Sequence, residues 1–257
     1  MSIDGRLGRY DEDEGWPPVL SSEMTEILRV LHSERGSGLH GGCVSLLGMD
    51  HLVVSLAVEG QITEQLWSSG ETGTSFDDLQ FALGEGPGPD ALRTGQSVLE
   101  HDVAAVGPGR WPALIPAMAH LPIQAVFCLP LALGGITVGV LTAVRARPGP
   151  MTGQEMDDAL GLAAALTVQF LGGEGRRFDD WLDQQSDGEL HRAVVHQATG
   201  MISVQLALPL GKALLRLRAY AYGHDRSIID AAQDVVSRRL RLDDDSAEPD
   251  PPKEPRG

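Results

Sequence analysis

The stretch LPIQAVFCLPLALGGITVGVLTAV, residues 121–144, decides the fold class. It runs for 24 positions without a charged side chain, which is long enough for a membrane-spanning helix. Pro122, Pro130 and the pair Gly134-Gly135 interrupt it, however, and β-branched residues are frequent in its second half. This composition is typical of strands bounded by turns. The stretch therefore predicts two strands joined at a turn, with a membrane span as the alternative.

A helix, two strands and a second helix are predicted before this stretch. Ser21 is placed to cap a first amphipathic helix, whose apolar residues keep helical spacing. The runs Cys43–Leu47 and Leu52–Val58 predict adjacent antiparallel strands. Phe76–Leu83 predicts a short helix, which the Gly- and Pro-rich run Gly84–Pro89 ends because these residues do not continue a helix.

Further elements complete the first half of the chain. Ser97–Val103 predicts a strand, and Trp111–His120 predicts a short helix. Thr152 and Glu155 form a capping box, in which each side chain satisfies a free amide of the other. The helix that follows carries an apolar stripe from Met156 to Leu171, placed to pack on the sheet or on a second copy of itself.

The remainder predicts a three-helix bundle of about 55 residues. Ser186 and Glu189 form a second capping box, Pro209 lies in the turn after the first helix, and Ser227 caps the third helix. The predicted organisation is an acidic disordered leader over 1–18, a mixed helix-and-strand domain over 19–172, a linker over 173–186, the bundle over 187–242 and an acidic disordered tail over 243–257. The predicted linker includes a helical segment, Arg176–Gln185.

Charge is sorted along the chain. The net charge is −16, which argues against a body coated in nucleic acid. From Gly188 to Leu242, however, eight basic side chains face four acidic ones, a net charge of +4, whereas the rest of the chain carries −20. The acidic N-terminus lacks the basic start and apolar run of a secretory signal, so a cytoplasmic protein is expected.

Catalytic and metal-binding patterns do not emerge from the sequence. Cys43 and Cys128 form no disulfide framework, and the eight histidines show no metal-ligand spacing. Phe81, Trp111 and Phe127 are candidates either for plain core or for the lining of a small-molecule pocket. We therefore expect no enzyme and no metal site, and the identity of any ligand or cofactor stays unknown.

The basic C-terminal bundle offers a nucleic-acid hypothesis. Gln197-Ala198-Thr199-Gly200 places small residues on its first helix, where a backbone or a base would approach closely; the alternative is close helix packing. Arg218 and Arg226 are candidates for phosphate contacts, and Tyr220 and Tyr222 for base stacking, although solvated arginines and half-buried tyrosines would look the same. A basic three-helix unit also fits a helix-turn-helix that binds DNA.

The bundle resembles the ANTAR domain, an RNA-binding module of bacterial transcription antiterminators. The resemblance is carried by Val195, Gln197-Ala198, Gly200-Met201, Ala213-Leu214, Leu217-Arg218, Ala221, Asp225-Arg226, Ile228, Ala232 and Val235-Val236. It implies a dimer that grips paired RNA hairpin loops and keeps a terminator from forming. The predicted RNA-binding residues are Gln197, Ala198, Thr199, Gly200, Arg218, Tyr220 and Arg226. Thr199 stands where the family usually carries a lysine, and Pro209 replaces the usual polar cap of the second helix.

The first 170 residues are similar to GAF domains of the type fused to ANTAR modules. The similarity is carried by Leu79-Gln80-Phe81, Leu83-Gly84-Glu85-Gly86-Pro87, Asp90-Ala91, Arg110-Trp111-Pro112 and Leu129-Pro130-Leu131. It implies an α+β sensory fold with a central antiparallel sheet and flanking helices, followed by the all-α bundle. Gly88 takes the place where many relatives carry a cysteine.

The leading hypothesis is a signal-responsive, dimeric antitermination regulator that binds hairpin-containing nascent RNA, with a small-molecule or protein signal at the sensor domain. Pairing of two chains would place two basic bundles side by side and let them engage two loops at high effective concentration. One rival is a DNA-binding regulator. The other is a small-molecule or redox-sensing protein whose bundle makes only protein contacts.

Overall fold

One antiparallel sheet organises the N-terminal half of the molecule. The computed structural model of the chain describes residues 19–33, 41–58, 60–107, 109–172 and 192–242. The strands lie in the order β2-β1-β5-β4-β3. They are β1 His51–Val58, β2 Gln61–Ser68, β3 Val98–Glu100, β4 Ala125–Leu133 and β5 Ile136–Arg145. The predicted α+β class with a central antiparallel sheet is confirmed.

The charge-free stretch forms the β4–β5 hairpin at the centre of this sheet. The two strands pair from Ala125 opposite Arg145 to Leu133 opposite Ile136. Alternate residues of β4 enter two different cores, with Phe127 on one face of the sheet and Cys128 on the other. Because both faces are buried, the stretch contains no charge, and this explains its resemblance to a membrane span. The prediction of two strands is confirmed.

Helices cover both faces of the sheet. On one face lie α1 Ser22–Ser33, α2 Gly41–Leu46 and α6 Gly153–Gly172. On the other face lie α3 Glu71–Leu83, α4 Pro87–Thr94 and α5 Leu114–Ala117, with short 3-10 turns at Val103–Ala105 and Met118–His120. The apolar stripe of α6 packs on the sheet through residues such as Leu162 and Leu166.

Several predicted caps are present. The Ser21 Oγ accepts a hydrogen bond from the Met24 N–H at 3.0 Å. The Thr152 N–H donates to the Glu155 carboxylate at 2.8 Å, and the Glu155 N–H donates to the Thr152 Oγ at 3.2 Å. Ser227 caps the last helix by accepting from the Ile229 N–H at 3.1 Å. The second capping box, Ser186 with Glu189, lies outside the described residues, as do the predicted leader, tail and segment 176–185.

Two predictions about the first half are wrong. Cys43–Leu47 was expected to be a strand, but Gly41–Leu46 is helix α2. Cys43 and Leu47 are both buried. Their spacing of four residues fits one turn of a helix as well as two repeats of a strand, so the pattern did not distinguish the two structures. Strand β1 pairs instead with β2, which the sequence did not predict, and with β5. The Gly- and Pro-rich run ends α3 as expected, yet its prolines then start α4, where a missing N–H is tolerated.

Three helices form the C-terminal part, and we call them the C-terminal unit. They are α7 Ala193–Leu206, α8 Leu210–Gly223 and α9 Ile228–Val236. They pack on one another through buried residues that include Ala198, Leu217 and Val235. This core is continuous with the core between the sheet and helices α3 to α5. The C-terminal unit is therefore docked on the face of the sheet that α3 covers.

The described residues include no single helix with the length and apolar character that crossing a membrane requires. Only α7 and α8 together meet those criteria, and that pair bends by 107° at its break.

Candidate functional site at the junction

Helix α3 lies between the sheet and the C-terminal unit, and we call the contact between α3, β2 and that unit the junction. Gly73 lets α3 approach the sheet closely, because a Cβ there would lie 2.9 Å from the Val53 Cγ2. One turn further, Asp77, Asp78 and Phe81 meet the C-terminal unit. The helix therefore touches both halves of the molecule.

A buried ion pair joins the start of the C-terminal unit to α3. The Arg192 Nη2 donates to the Asp77 Oδ2 at 2.9 Å and to the Asp78 Oδ1 at 2.8 Å. The side chains of Arg192 and Asp77 are 1% and 0% exposed. The Ser55 hydroxyl of β1 also donates to the Asp77 Oδ2, at 2.8 Å. Complete burial raises the pKa of Asp77, and the positive charge of Arg192 opposes that rise.

Phe81 is the aromatic centre of the junction. The guanidinium carbon of Arg192 lies 4.2 Å from the centre of its ring, and that of Arg218 lies 5.5 Å away. The imidazole of His196 meets the same ring edge-on, at 6.2 Å and 66°. Guanidinium groups near an aromatic ring are attracted by its quadrupole, by about 0.5 to 2 kcal/mol each. One side chain of α3 therefore serves two cations of the C-terminal unit.

Arg218 is a buried cation held by neutral groups. Its residue is 8% exposed, and its Nη1 donates to the Gln61 Oε1 of β2 at 3.0 Å. Burial and, to a smaller extent, the neighbouring charge of Arg192 lower the pKa of Arg218 to about 10. Among the described residues, no carboxylate forms an ion pair with Arg218.

The end of α3 lies directly against Arg218. Gly84 ends α3 in the left-handed conformation, with φ of 68°, and a Cβ there would lie 2.7 Å from the Arg218 Nη1. A residue with a side chain would therefore be strained and would crowd the guanidinium. The carboxyl end of a helix carries partial negative charge, which favours a cation. The glycine thus permits a close approach that partly compensates the Arg218 charge.

His196 ties α7 to strand β2. Its Nε2 lies 3.2 Å from the Thr63 carbonyl oxygen and 3.4 Å from the Glu64 Oε1. The interaction with Glu64 raises the pKa of His196, and burial partly opposes that rise. The imidazolium form is therefore the form that this contact stabilises.

Comparison with known proteins identifies the half of the chain that contains the sheet. The family model described as a GAF domain matches residues 21–171, more than half of the 257 residues. The chain belongs to the GAF domain family. GAF domains are signal-sensing regulatory domains, so this half of the molecule is a sensor.

Two solved structures illustrate the likeness. The GAF domain of a phosphoenolpyruvate-protein phosphotransferase from Coxiella burnetii is 15% identical, with a TM-score of 0.46, over 60% of this chain and 96% of that one. The free methionine-R-sulfoxide reductase from Neisseria meningitidis is 17% identical, with a TM-score of 0.43, over 63% of this chain and 89% of that one. The chain matches no curated protein.

Several residues that carry the similarity to GAF domains form hydrogen bonds inside this domain. The Glu85 Oε1 accepts hydrogen bonds from the Ala113 and Leu114 N–H groups at 2.6 and 2.7 Å, at the start of α5. The Trp111 Nε1 donates to the Asp90 Oδ2 at 3.0 Å. These contacts fix the loop before α5 onto α3 and α4.

Gly88 and Gln80 fill part of the interior of the GAF domain. The Gly88 N–H donates to the Gln80 Oε1 at 2.7 Å, and a Cβ at Gly88 would lie 3.0 Å from that oxygen. The Gln80 Nε2 is buried and has no hydrogen-bond partner among the described residues. Gln80 and Phe81 are neighbours on α3, so the interior of the sensor and the junction meet on one helix.

The junction also has an open cleft of about 930 Å³ between α3 and the helices α8 and α9. Its walls combine apolar side chains such as Phe81 and Ile228 with polar ones such as His120, Asp78 and Arg226. Small-molecule sites commonly have this size and mixture and lie between domains. Among the described residues, no three His, Cys, Asp or Glu side chains come together to hold a metal ion.

The structure spreads the predicted RNA-binding residues over different environments. Ala198, Thr199 and Arg218 are buried, with exposures of 0%, 6% and 8%. Gln197 and Arg226 are exposed, whereas Gly200 and Tyr220 are half-buried. The seven residues therefore do not form one open surface in this arrangement of the two halves.

Two of the predicted residues are engaged within the C-terminal unit. The Arg226 Nη2 donates to the Asp234 Oδ2 at 2.7 Å, and this hydrogen bond raises the pKa of Arg226. The Tyr220 ring stacks on the ring of His224, with their centres 4.1 Å apart.

Gly200 is an open position on α7. A Cβ built there would meet nothing within 4 Å. Close helix packing, the alternative explanation for this glycine, is therefore wrong among the described residues.

The sequence reasoning missed the residues that hold the junction together. Asp77 and Arg192 were not singled out, and Gln61 lies on the strand that was not predicted. Two adjacent carboxylates, Asp77-Asp78, inside the mainly apolar run Phe76–Leu83 were the available signal, because buried carboxylates need partners.

The two cysteines are poor candidates for redox sensing. Burial raises the pKa of Cys43 to about 11 and that of Cys128 to about 12. Both are free thiols in the interior. Because the thiolate is the reactive form, these thiols are expected to be inert in the folded protein.

Proposed function

We propose that the chain is a signal-responsive regulator that acts without catalysis, in which the GAF domain senses a signal and the C-terminal unit binds RNA hairpins in transcription antitermination. The observation that carries the proposal is Gly200. A glycine inside a helix weakens that helix by about 1 kcal/mol relative to alanine. Since no group among the described residues requires its small size, an external partner that approaches α7 closely is the explanation we favour.

The surroundings of Gly200 support this proposal. Gln197, one turn earlier, is exposed and offers an amide that both donates and accepts hydrogen bonds. The ANTAR-like residues identified in the sequence include both positions. The C-terminal unit also exposes Lys212, Arg238 and Arg241, which would attract a polyanion in a salt-dependent way.

Dimerisation is the second part of the proposal. Helix α6 buries its main apolar stripe on the sheet but leaves Val168 and Leu171 exposed near its end. These side chains form a small apolar surface at the end of the GAF domain that leads to the C-terminal unit. A second copy packed there would bring two C-terminal units together and raise their effective concentration for paired loops.

A titration of the full chain with a tandem-hairpin leader RNA tests the proposal. Gly200→Gln is expected to weaken binding by about tenfold, the loss of roughly one good contact, while the fold is kept because the position is open. Gly153→Gln is the matched control, since Gly153 is another open glycine at the start of α6 in the GAF domain. Equal RNA affinity of the two variants would contradict the proposal.

Arginine variants test the assigned phosphate contacts. Arg218→Ala and Arg226→Ala are each expected to weaken RNA binding and to reduce the slope of log affinity against log salt by about 1. Affinities and slopes unchanged in both variants would remove these residues from the RNA site.

Duplex DNA is the second candidate target. The bend of 107° between α7 and α8 lies within the range of helix-turn-helix pairs. In that case α8 would enter the major groove, and its exposed Lys212 and Tyr222 would face the DNA. Competition between the hairpin RNA and a duplex DNA at equal salt decides between the two nucleic acids.

A further inference from the structure

We infer that the GAF domain inhibits the C-terminal unit by holding Arg218, so that docking at the junction and RNA binding compete for the same guanidinium. This inference rests on the proposed function. In the docked arrangement Arg218 is 8% exposed and is enclosed by Phe81, Gln61 and Gly84. RNA therefore gains access to Arg218 only when this contact opens.

The GAF domain offers Arg218 the same chemistry that RNA would offer. The ring of Phe81 provides an aromatic face, as an unstacked base does. The Gln61 Oε1 is an amide oxygen, as on the edge of a base, and accepts from Arg218 at 3.0 Å. The carboxyl end of α3 supplies partial negative charge in place of a phosphate. These groups satisfy the Arg218 guanidinium only in part, because its Nε is buried without a hydrogen-bond partner among the described residues.

The contact is nevertheless easy to displace. Among the described residues Arg218 has no carboxylate partner, and the charge of Arg192 repels it. A phosphate brings the full negative charge that Phe81, Gln61 and the end of α3 do not supply, and it can accept two parallel hydrogen bonds from one guanidinium. Arg218 is therefore buried while the C-terminal unit is docked, and a phosphate can compete with the GAF domain for its guanidinium.

Helix α3 connects this contact to the interior of the sensor. Asp77 is bonded to Ser55 of the sheet and to Arg192 of the C-terminal unit. Gln80 is bonded to Gly88 of α4 and precedes Phe81. A signal that moves α3 therefore changes both the Asp77–Arg192 ion pair and the contact between Phe81 and Arg218.

Gln61 provides the sharpest test, because it is an exposed residue on the sensor that touches Arg218 and lies outside the predicted RNA-binding set. Gln61→Ala removes the acceptor and is expected to strengthen binding of the tandem-hairpin RNA. Gln61→Glu gives Arg218 a carboxylate and is expected to weaken binding. Each shift is expected to be about tenfold, since the apparent affinity follows the fraction of undocked molecules.

Gln96→Glu is the matched control. It adds the same negative charge at an exposed glutamine of the GAF domain that has no contact with Arg218. Titrations of the four full-length proteins at one salt concentration are compared with their radii of gyration from small-angle X-ray scattering. The radius is expected to rise in Gln61→Ala, to fall or stay the same in Gln61→Glu and to be unchanged in Gln96→Glu.

The outcomes separate the inference from the proposed function. Opposite shifts in RNA affinity for the two Gln61 variants, with Gln96→Glu like the unmodified chain, would support the inference. Equal RNA affinity in all four proteins would overturn it and leave the proposed function standing. If none of them binds the RNA, the proposed function fails, and the inference fails with it.

Discussion

The GAF domain core and the junction are both buried, but they are built from different groups. Between the sheet and α6, Phe127, Leu141 and Leu162 are fully buried and apolar. At the junction, two of the buried side chains are arginines, Arg192 and Arg218. An apolar core has no preferred partner, whereas a buried cation demands an acceptor in a defined place. The sensor core therefore depends on the total apolar area that it buries, whereas the junction depends on a few partners in defined places.

The largest expected effect is at the buried ion pair. Arg192→Ala leaves Asp77 without its cation and is expected to lower the free energy of unfolding by about 3 to 5 kcal/mol. Urea unfolding of the full chain measures this loss. Arg29→Ala is the control, because Arg29 forms a similarly short pair with Glu26 on the surface; no measurable change is expected there. Equal losses of unfolding free energy in Arg192→Ala and Arg29→Ala would contradict the larger role assigned to the buried ion pair.

A core substitution sharpens the comparison. Leu141→Ala is expected to lower the free energy of unfolding by about 2 to 5 kcal/mol, through lost burial and a cavity. Combined with Arg192→Ala it is expected to be additive, since the two residues belong to separate contacts. Asp77→Ala combined with Arg192→Ala is expected to be strongly non-additive, because the second change removes the orphaned partner. Additivity in the second pair would show that the ion pair is not coupled.

Two glycines are expected to respond in opposite directions. Gly84→Ala forces a left-handed backbone on a residue with a Cβ and crowds Arg218, so a loss of about 1 to 2 kcal/mol is expected. Gly200→Ala is expected to stabilise the chain by about 1 kcal/mol, because the position is helical and open. Thermal unfolding distinguishes the two signs. A loss of thermal stability in Gly200→Ala would contradict the conclusion that this position is open.

The smallest expected effect depends on pH. The interaction with Glu64 raises the pKa of His196. The positive charge of Arg192, which also faces His196 at the junction, opposes that rise. The contribution of the His196–Glu64 contact to the free energy of unfolding is therefore complete below the ordinary histidine pKa of 6.5, and it is lost as the pH rises through the raised pKa. His196→Gln is expected to remove this dependence. A stability that increases over the same pH range would contradict the assignment.

Much of the GAF fold was predictable because its signals are local. The hairpin of β4 and β5 is marked by two apolar runs around Gly134-Gly135, and the caps at Ser21 and Thr152 precede regular apolar spacing. α2 was mistaken for a strand because a run of five or six residues satisfies both periods. β2 was missed because it alternates polar and apolar residues weakly, with only Ile62 and Leu66 buried among its eight positions.

The junction was not predictable, because its contacts are long-range. Asp77 and Arg192 are 115 positions apart, and Gln61 and Arg218 are 157 apart. A charged side chain looks the same in a sequence whether it is solvated or buried, so Arg218 was assigned to an open surface. Its burial depends on which face of the C-terminal unit docks on α3, and no local pattern specifies that face.

Docking also has a consequence for solubility. Strand β2 lies at the border of the sheet, and its Thr63 carbonyl oxygen is 3.2 Å from the His196 Nε2 of α7. Unprotected border strands are templates for aggregation, since their free amides and carbonyls pair with other chains. A form in which the C-terminal unit has undocked from β2 is therefore expected to aggregate more readily than the docked form.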